Sequence, residues 1–194
     1  ALLQKWRREG HEAFHYLDLL AISIAADMVP IVDENRILCS LGLKSIQTSK
    51  KPGLQSLLKT SKIVGEVSAA DIGFKIGPRI NAAGRMDHGK KAVELLVSED
   101  GDFTDLGSEE MDAANQDRKE EQNKTVLEAV EMIQSWPDFK ERKSIVVYKD
   151  SWHKGIVGIV ASKLVDIFYK PTIVLTKSGE KIAGSARAVT DLSI

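Results

Sequence analysis

One cysteine in 194 residues leaves Cys39 without a partner in the chain, so no internal disulfide is possible and nothing calls for an oxidising compartment. A reducing cytoplasm is the expectation. Five prolines and 14 glycines, scattered along the chain, exclude a collagen-like or Pro/Gly-rich disordered protein. Long apolar runs are also missing: residues 19–26 and 156–165 are the most apolar stretches, and both fall short of the roughly 20 residues needed to cross a bilayer. No membrane span is expected. Charge of one sign is not in excess, with 27 Lys plus Arg against 28 Asp plus Glu. The chain starts at Ala1-Leu2-Leu3-Gln4 without a basic-then-apolar leader pattern and stops at Leu192-Ser193-Ile194 without a closing helix, so both ends read as cuts in a longer protein.

What remains is an ordinary soluble composition, 43% apolar and 28% charged, long enough for one domain or for two small lobes sharing a connector. The charge is uneven: residues 1–97 carry net +4, residues 98–143 net −8 and residues 144–194 net +3. The two ends suit a polyanion and the middle repels one, although ordinary surfaces show surpluses of this size. The first block reads as successive helices. Residues 16–26 space Leu17, Leu20, Ala21 and Ile24 for one helical face and end at Pro30. A second helix is expected from Asp33, its carboxylate capping free amides and Ile37, Leu38, Leu41 and Leu43 pointing inward. Pro52-Gly53 opens a short helix with Leu54, Leu57 and Leu58, and Lys90 to Val97 resumes helical spacing. The stretch 71–85, with three glycines and a proline, reads as too broken for a long helix. Residues 108–135 predict the longest helix, polar in its first half as a connector would be. Then the period changes: strands are expected at 144–148, 172–176 and 180–189, with a helix at 155–168 between the first two. That order implies a parallel pair joined by a crossover and places the chain in the α/β class.

Four segments carry residues suited to chemistry, each with a purely structural alternative. Asp27 ends an apolar helix, where a rigidly held carboxylate suits a hard divalent cation or simply bonds nearby amides. Asn81-Ala82-Ala83-Gly84-Arg85 offers small residues, an amide and a guanidinium fork matched to phosphate, or else close helix packing with an exposed arginine. In Trp152-His153-Lys154-Gly155-Ile156-Val157-Gly158 a strand turns into a helix, gathering free amides and the positive dipole end beside His153; the motif lacks the full glycine pattern of a nucleotide loop, and a well-packed turn is the structural alternative. Gly184-Ser185-Ala186-Arg187 puts an arginine after small residues on the last strand, for phosphate or for solubility at an edge. Asp87-His88, and His11 with His15, lack the further ligands that a metal site needs, and Cys39 in a leucine-rich helix reads as an inert buried thiol.

In this order the segments resemble the RecJ-type single-stranded-DNA exonucleases of the DHH phosphoesterase superfamily. The resemblance runs through Asp18 to Pro30, Glu34-Asn35-Arg36, Gly73-Phe74, Gly77 to Arg85, Trp152 to Lys163 and Gly184 to Arg187. It implies a mostly helical carboxyl-terminal part of a DHH domain (1–105), a connecting helix (106–137) and the start of an α/β DHH-associated domain (138–194). It further implies a 5′ to 3′ exonuclease acting on single-stranded DNA in repair and recombination, with two Mn²⁺ or Mg²⁺ ions activating water. By the same resemblance Asp27 matches a metal-ligand aspartate, Arg85 an arginine that contacts phosphate, and Ser185, Ala186 and Arg187 a phosphate-gripping segment, with Asn81 and His153 in the matching blocks. The Asp-His-His motif is absent and one carboxylate cannot hold two cations, so this chain alone is expected to be inactive. Ala186 and Ala188 replace a glycine and a serine of the family pattern, at a cost if the backbone at 186 requires φ > 0. A phosphodiesterase for short oligonucleotides or cyclic dinucleotides, and a binding module without catalysis, are the alternatives.

Overall fold

The computed structural model describes residues 13–85 and 89–189. The chain divides into two compact units, Ala1–Asn115 and Gln116–Ile194. His11, Asp87 and His88 lie outside the described residues.

In the first unit a 3₁₀ turn (Ala13–Tyr16) leads into α1 (Leu17–Ala26), followed by α2 (Asp33–Thr48) and α3 (Pro52–Thr60). Helix α1 buries Leu17, Ala21, Ile22, Ile24 and Ala25. Helix α2 turns a face of Cys39, Gly42 and Ile46 inward, whereas Ile37 and Leu41, expected inside, are exposed. Gly42 decides this: a Cβ there would lie 2.2 Å from the Leu17 carbonyl oxygen, so α1 and α2 meet where only glycine fits. The capping role expected of Asp33 is also not taken. Val32 is the N-cap, no side chain caps it, and Asp33 has φ +45°. Cys39 is buried, and burial pushes its thiol pKa up, in keeping with an inert thiol.

The broken-looking stretch is helical throughout. After α4 (Ala69–Asp71) comes a π turn (Ile72–Ile76) and then α5 (Gly77–Arg85). Ser68 and Asp71 form a capping box at the start. The Gly77 N–H reaches back five residues to the Ile72 carbonyl, and Pro78, which has no N–H to give, follows directly. The wide turn thus absorbs the bond that proline cannot make. Gly73 and Gly77 sit close to Ala25 and Ala26 of α1, which accounts for the small residues.

Helix α6 (Gly89–Val97) contributes Ala92 and Leu95 to the same core, which also holds Met111 of α7 (Gly101–Gln134). Helix α7 begins seven residues earlier than expected. The Asp100 carboxylate accepts the Phe103 N–H at 3.1 Å and so caps it, while at Gly107 an added Cβ would come 2.9 Å from the Leu95 side-chain methyl. Its carboxyl-terminal half supplies Ala129 and Ile133 to the core of the second unit.

That unit is a three-stranded sheet, β1 (Ile145–Tyr148), β2 (Thr172–Ser178) and β3 (Lys181–Arg187), with α8 (Val157–Phe168) between β1 and β2 in sequence. Strands β1 and β2 are parallel and β2 and β3 antiparallel, the latter joined at Gly179 with φ +63°. Ile145, Val147 and Val174 pack with Val157, Val160, Ala161 and Leu164 of α8, while Trp152 and Ile156 close the turn before it. Among the described residues no helix is long and apolar enough to cross a membrane.

Candidate nucleic-acid interface

On β3, Ser185 lies opposite Val174 and Arg187 opposite Thr172, both buried positions of β2, so alternation turns Ser185 and Arg187 toward α8. Arg187 Nε donates to Ser162 Oγ at 3.2 Å, and Nη1 donates to Ser185 Oγ at 3.0 Å and to the Ala186 carbonyl at 2.8 Å. Gly158, the second residue of α8, faces this group. An added Cβ would lie 3.3 Å from Ser185 Oγ and 3.4 Å from Arg187 Nη2. The guanidinium thus lies over the first turn of a helix whose N-cap, Ile156, provides no side-chain acceptor. Free amides, the positive dipole end and a permanent cation converge there, which is an arrangement that attracts oxyanions. Ala186 pairs with Ile173 in a regular ladder without positive φ, so the backbone cost that a glycine requirement would bring does not arise.

The turn before α8 is tied down on its other side. His153 is half-buried and its Nδ1 accepts the Gly155 N–H at 3.1 Å, which leaves Nε2 as the ring's donor. Next to it, the Trp152 indole N–H and Lys149 Nζ both donate to Glu128 Oε2 at 2.9 Å, and Thr176 Oγ1 donates to the Trp152 carbonyl. Hydrogen bonds from Lys149 and Trp152 hold the Glu128 carboxyl below the usual carboxylate range. Glu128 lies in the carboxyl-terminal half of α7, next to the core residue Ala129, and its role was not legible from the local sequence.

In the first unit, Asp27 is the C-cap of α1 and is exposed, and its carboxylate bonds no described residue; the amide-bonding alternative is not what the structure shows. Asn81 and Arg85 stand four residues apart on α5 and so share a helix face; Asn81 is exposed, and the Arg85 side chain lies outside the described residues. Arg79, in the same helix, is 14% exposed and pairs with Asp112 at 2.7 Å while donating to the Lys75 carbonyl at 2.7 Å, so this arginine fastens α5 to α7. The buried carboxylate of α1 is Asp18, 1% exposed, which accepts from Ser49 Oγ at 2.8 Å, Lys51 Nζ at 2.7 Å and the Leu19 N–H at 2.8 Å. Burial alone pushes its pKa up, but the bonds from Lys51, Ser49 and Leu19 outweigh burial and leave it lowered.

Among the described residues no three His, Cys, Asp or Glu side chains come together as a metal site. Asp27 by itself does not fit a two-cation centre.

A helix-rich unit, a long helix whose carboxyl-terminal half belongs to a β-α-β unit, and an arginine laid across the amino terminus of that unit's helix define an α/β protein. No family model matches the chain. Among curated proteins it is 41% identical over 181 residues to the single-stranded-DNA-specific exonuclease RecJ of Bacillus subtilis, covering 92% of this chain and 23% of that protein. It is 34% identical to the RecJ of Escherichia coli, covering 91% of this chain and 31% of the relative. Two crystal structures of RecJ from Thermus thermophilus, in complex with Mn²⁺ and with Mg²⁺, superpose with TM-score 0.84 at 29% identity over 97% of this chain. The chain is a homologue of the RecJ-type exonucleases over nearly its whole length, and it spans about a quarter to a third of the length of these curated relatives.

Proposed function

We propose that this chain is the backbone-holding part of a RecJ-type, metal-dependent 5′ to 3′ single-stranded-DNA exonuclease that works in cytoplasmic DNA repair and recombination. In this reading residues 1–105 belong to the DHH domain, 106–137 to the connecting helix and 138–194 to the DHH-associated domain. A phosphate of the strand sits against the first turn of α8, where Arg187 supplies the charge, Ser185 a hydroxyl and Gly158 the space. His153 offers its Nε2 proton from the preceding turn, and the Ala186 main chain fixes Arg187 from the strand side. Asn81 and Arg85 on α5 supply a second contact to the strand. Asp27 is one carboxylate of a Mn²⁺ or Mg²⁺ centre whose other ligands are not among the described residues, so hydrolysis is not assigned to this chain alone.

The observation that supports this most is the Arg187–Gly158 geometry. A cation held by three hydrogen bonds over an uncapped helix end is poorly explained by solubility. Fluorescence titration of the chain with labelled oligothymidylate at low salt tests it. Arg187→Ala and Arg85→Ala are each expected to weaken binding about tenfold and to flatten its salt dependence. Affinity unchanged in both variants removes the phosphate roles.

A further inference from the structure

Arg187 is a long side chain at the end of a strand, and fixing such a side chain costs rotamer freedom. Three acceptors hold it: Ser162 Oγ for Nε, and Ser185 Oγ with the Ala186 carbonyl for Nη1. The two serines differ. Ser162 donates its only hydroxyl proton to the Gly158 carbonyl at 3.2 Å, so the lone pairs left over face the guanidinium and it has no proton to offer a ligand. The Ser185 hydroxyl accepts from Nη1 and gives its proton to no described residue. Nη2 makes no hydrogen bond to a described residue and lies nearest Gly158.

We infer that Ser162, in the middle of α8, is a positioning residue: it clips Nε of Arg187 so that Nη2 and the Ser185 hydroxyl are aimed together at the space over Gly158. This rests on the phosphate reading of the α8–β3 cradle and goes beyond it, because Ser162 touches no ligand and acts only through the arginine. The spacing makes it possible. Gly158 and Ser162 are four residues apart on one helix face, so the helix presents the space and, one turn on, the acceptor that fixes the cation above it. An isolated serine bonding the carbonyl four residues back is common in helices and needs no such role. The bond to Arg187 is what distinguishes this one.

Four variants of the full chain test it, with oligothymidylate at low salt as the probe. Ser162→Ala is expected to bind about fivefold more weakly, with its melting temperature unchanged or slightly raised, since alanine suits a helix interior. Ser162→Thr, which keeps the hydroxyl, stays within about twofold of the parent. In an Arg187→Ala background, Ser162→Ala has no further effect, because nothing is left to position. A readout free of ligand accompanies these: the Arg187 Nε–H exchanges slowly with solvent in the parent and in Ser162→Thr, and quickly in Ser162→Ala. Loss of affinity in Arg187→Ala with none in Ser162→Ala overturns the positioning role and leaves the phosphate reading standing. An equal Ser162→Ala loss with and without Arg187 also overturns it. Unchanged affinity in Arg187→Ala, or no binding by the parent, overturns the phosphate reading itself, and this inference with it.

Discussion

Replacing Gly158 by alanine separates folding from binding at the α8 amino terminus. Alanine is favoured over glycine in helices by up to about 1 kcal/mol, less near an end, so the fold gains slightly on that account. The new methyl sits 3.3 Å from Ser185 Oγ and 3.4 Å from Arg187 Nη2, a crowding of a few tenths of an ångström that the exposed arginine relieves by moving. Net stability therefore changes by less than about 1 kcal/mol in either direction. Binding responds differently. The methyl occupies the gap through which a phosphate oxygen reaches the amides and displaces the guanidinium, at a cost on the scale of one charge-assisted hydrogen bond, about 1.5 kcal/mol, or roughly tenfold in affinity. Thermal denaturation and fluorescence titration with single-stranded DNA, measured on one preparation, read the two effects. A variant of unchanged stability and unchanged affinity refutes the cradle; a variant that loses affinity only in proportion to unfolding refutes the reasoning about space.

Gly42→Ala is expected to destabilise the first unit by about 2 kcal/mol, because the 2.2 Å approach to the Leu17 carbonyl is backbone and cannot yield cheaply; urea unfolding at parental stability would contradict that packing. Asp18→Asn weakens the bonds of Lys51 and Ser49 and should cost about 2 kcal/mol at neutral pH. Because the folded Asp18 carboxyl lies below its ordinary value, its stabilisation is full above about pH 4 and is lost as the pH falls through the folded value, so the variant should show a shallower acid limb in melting temperature; parallel limbs would contradict this. Asp71, bonded first by Lys75 and then by Ser68, is held down to about 2, and an NMR titration of its carboxyl with a midpoint near 4 would contradict both the Lys75 pair and the Ser68 bonds.

The second unit was the more legible half because its elements announce themselves by period: β-branched runs at 145–148 and 172–178 alternate, and the helix between them is apolar on several faces. The first unit misled where glycine and proline act through tertiary contacts. Gly73, Gly77 and Pro78 look like helix breakers, yet they are accommodated by a π turn and by the nearness of α1, and Gly101 with Gly107 hid the true start of α7. The inward face of α2 was half misread: Leu38 and Leu43 pack on the core as expected, but Ile37 and Leu41 do not, because the face is organised around Gly42, which carries no hydrophobic signal of its own. At the candidate site, Ser185 and Arg187 could be picked out as a small-residue run ending in an arginine. Ser162 and Glu128 could not, since their partners lie 25 and 24 residues away in sequence. The four-residue spacing of Gly158 and Ser162 was the one local hint. Arg79 shows the converse, an arginine in a phosphate-like context whose guanidinium is spent on Asp112.

Titration of the ¹⁵N-labelled chain with oligothymidylate, followed by amide and arginine side-chain resonances, addresses oxyanion binding at the α8 amino terminus most directly. Saturable shifts are expected, largest at Val157, Gly158, Ser185 and Arg187 Nε, and abolished by Arg187→Ala. Shifts spread over surface lysines, with those four positions unmoved, would contradict it.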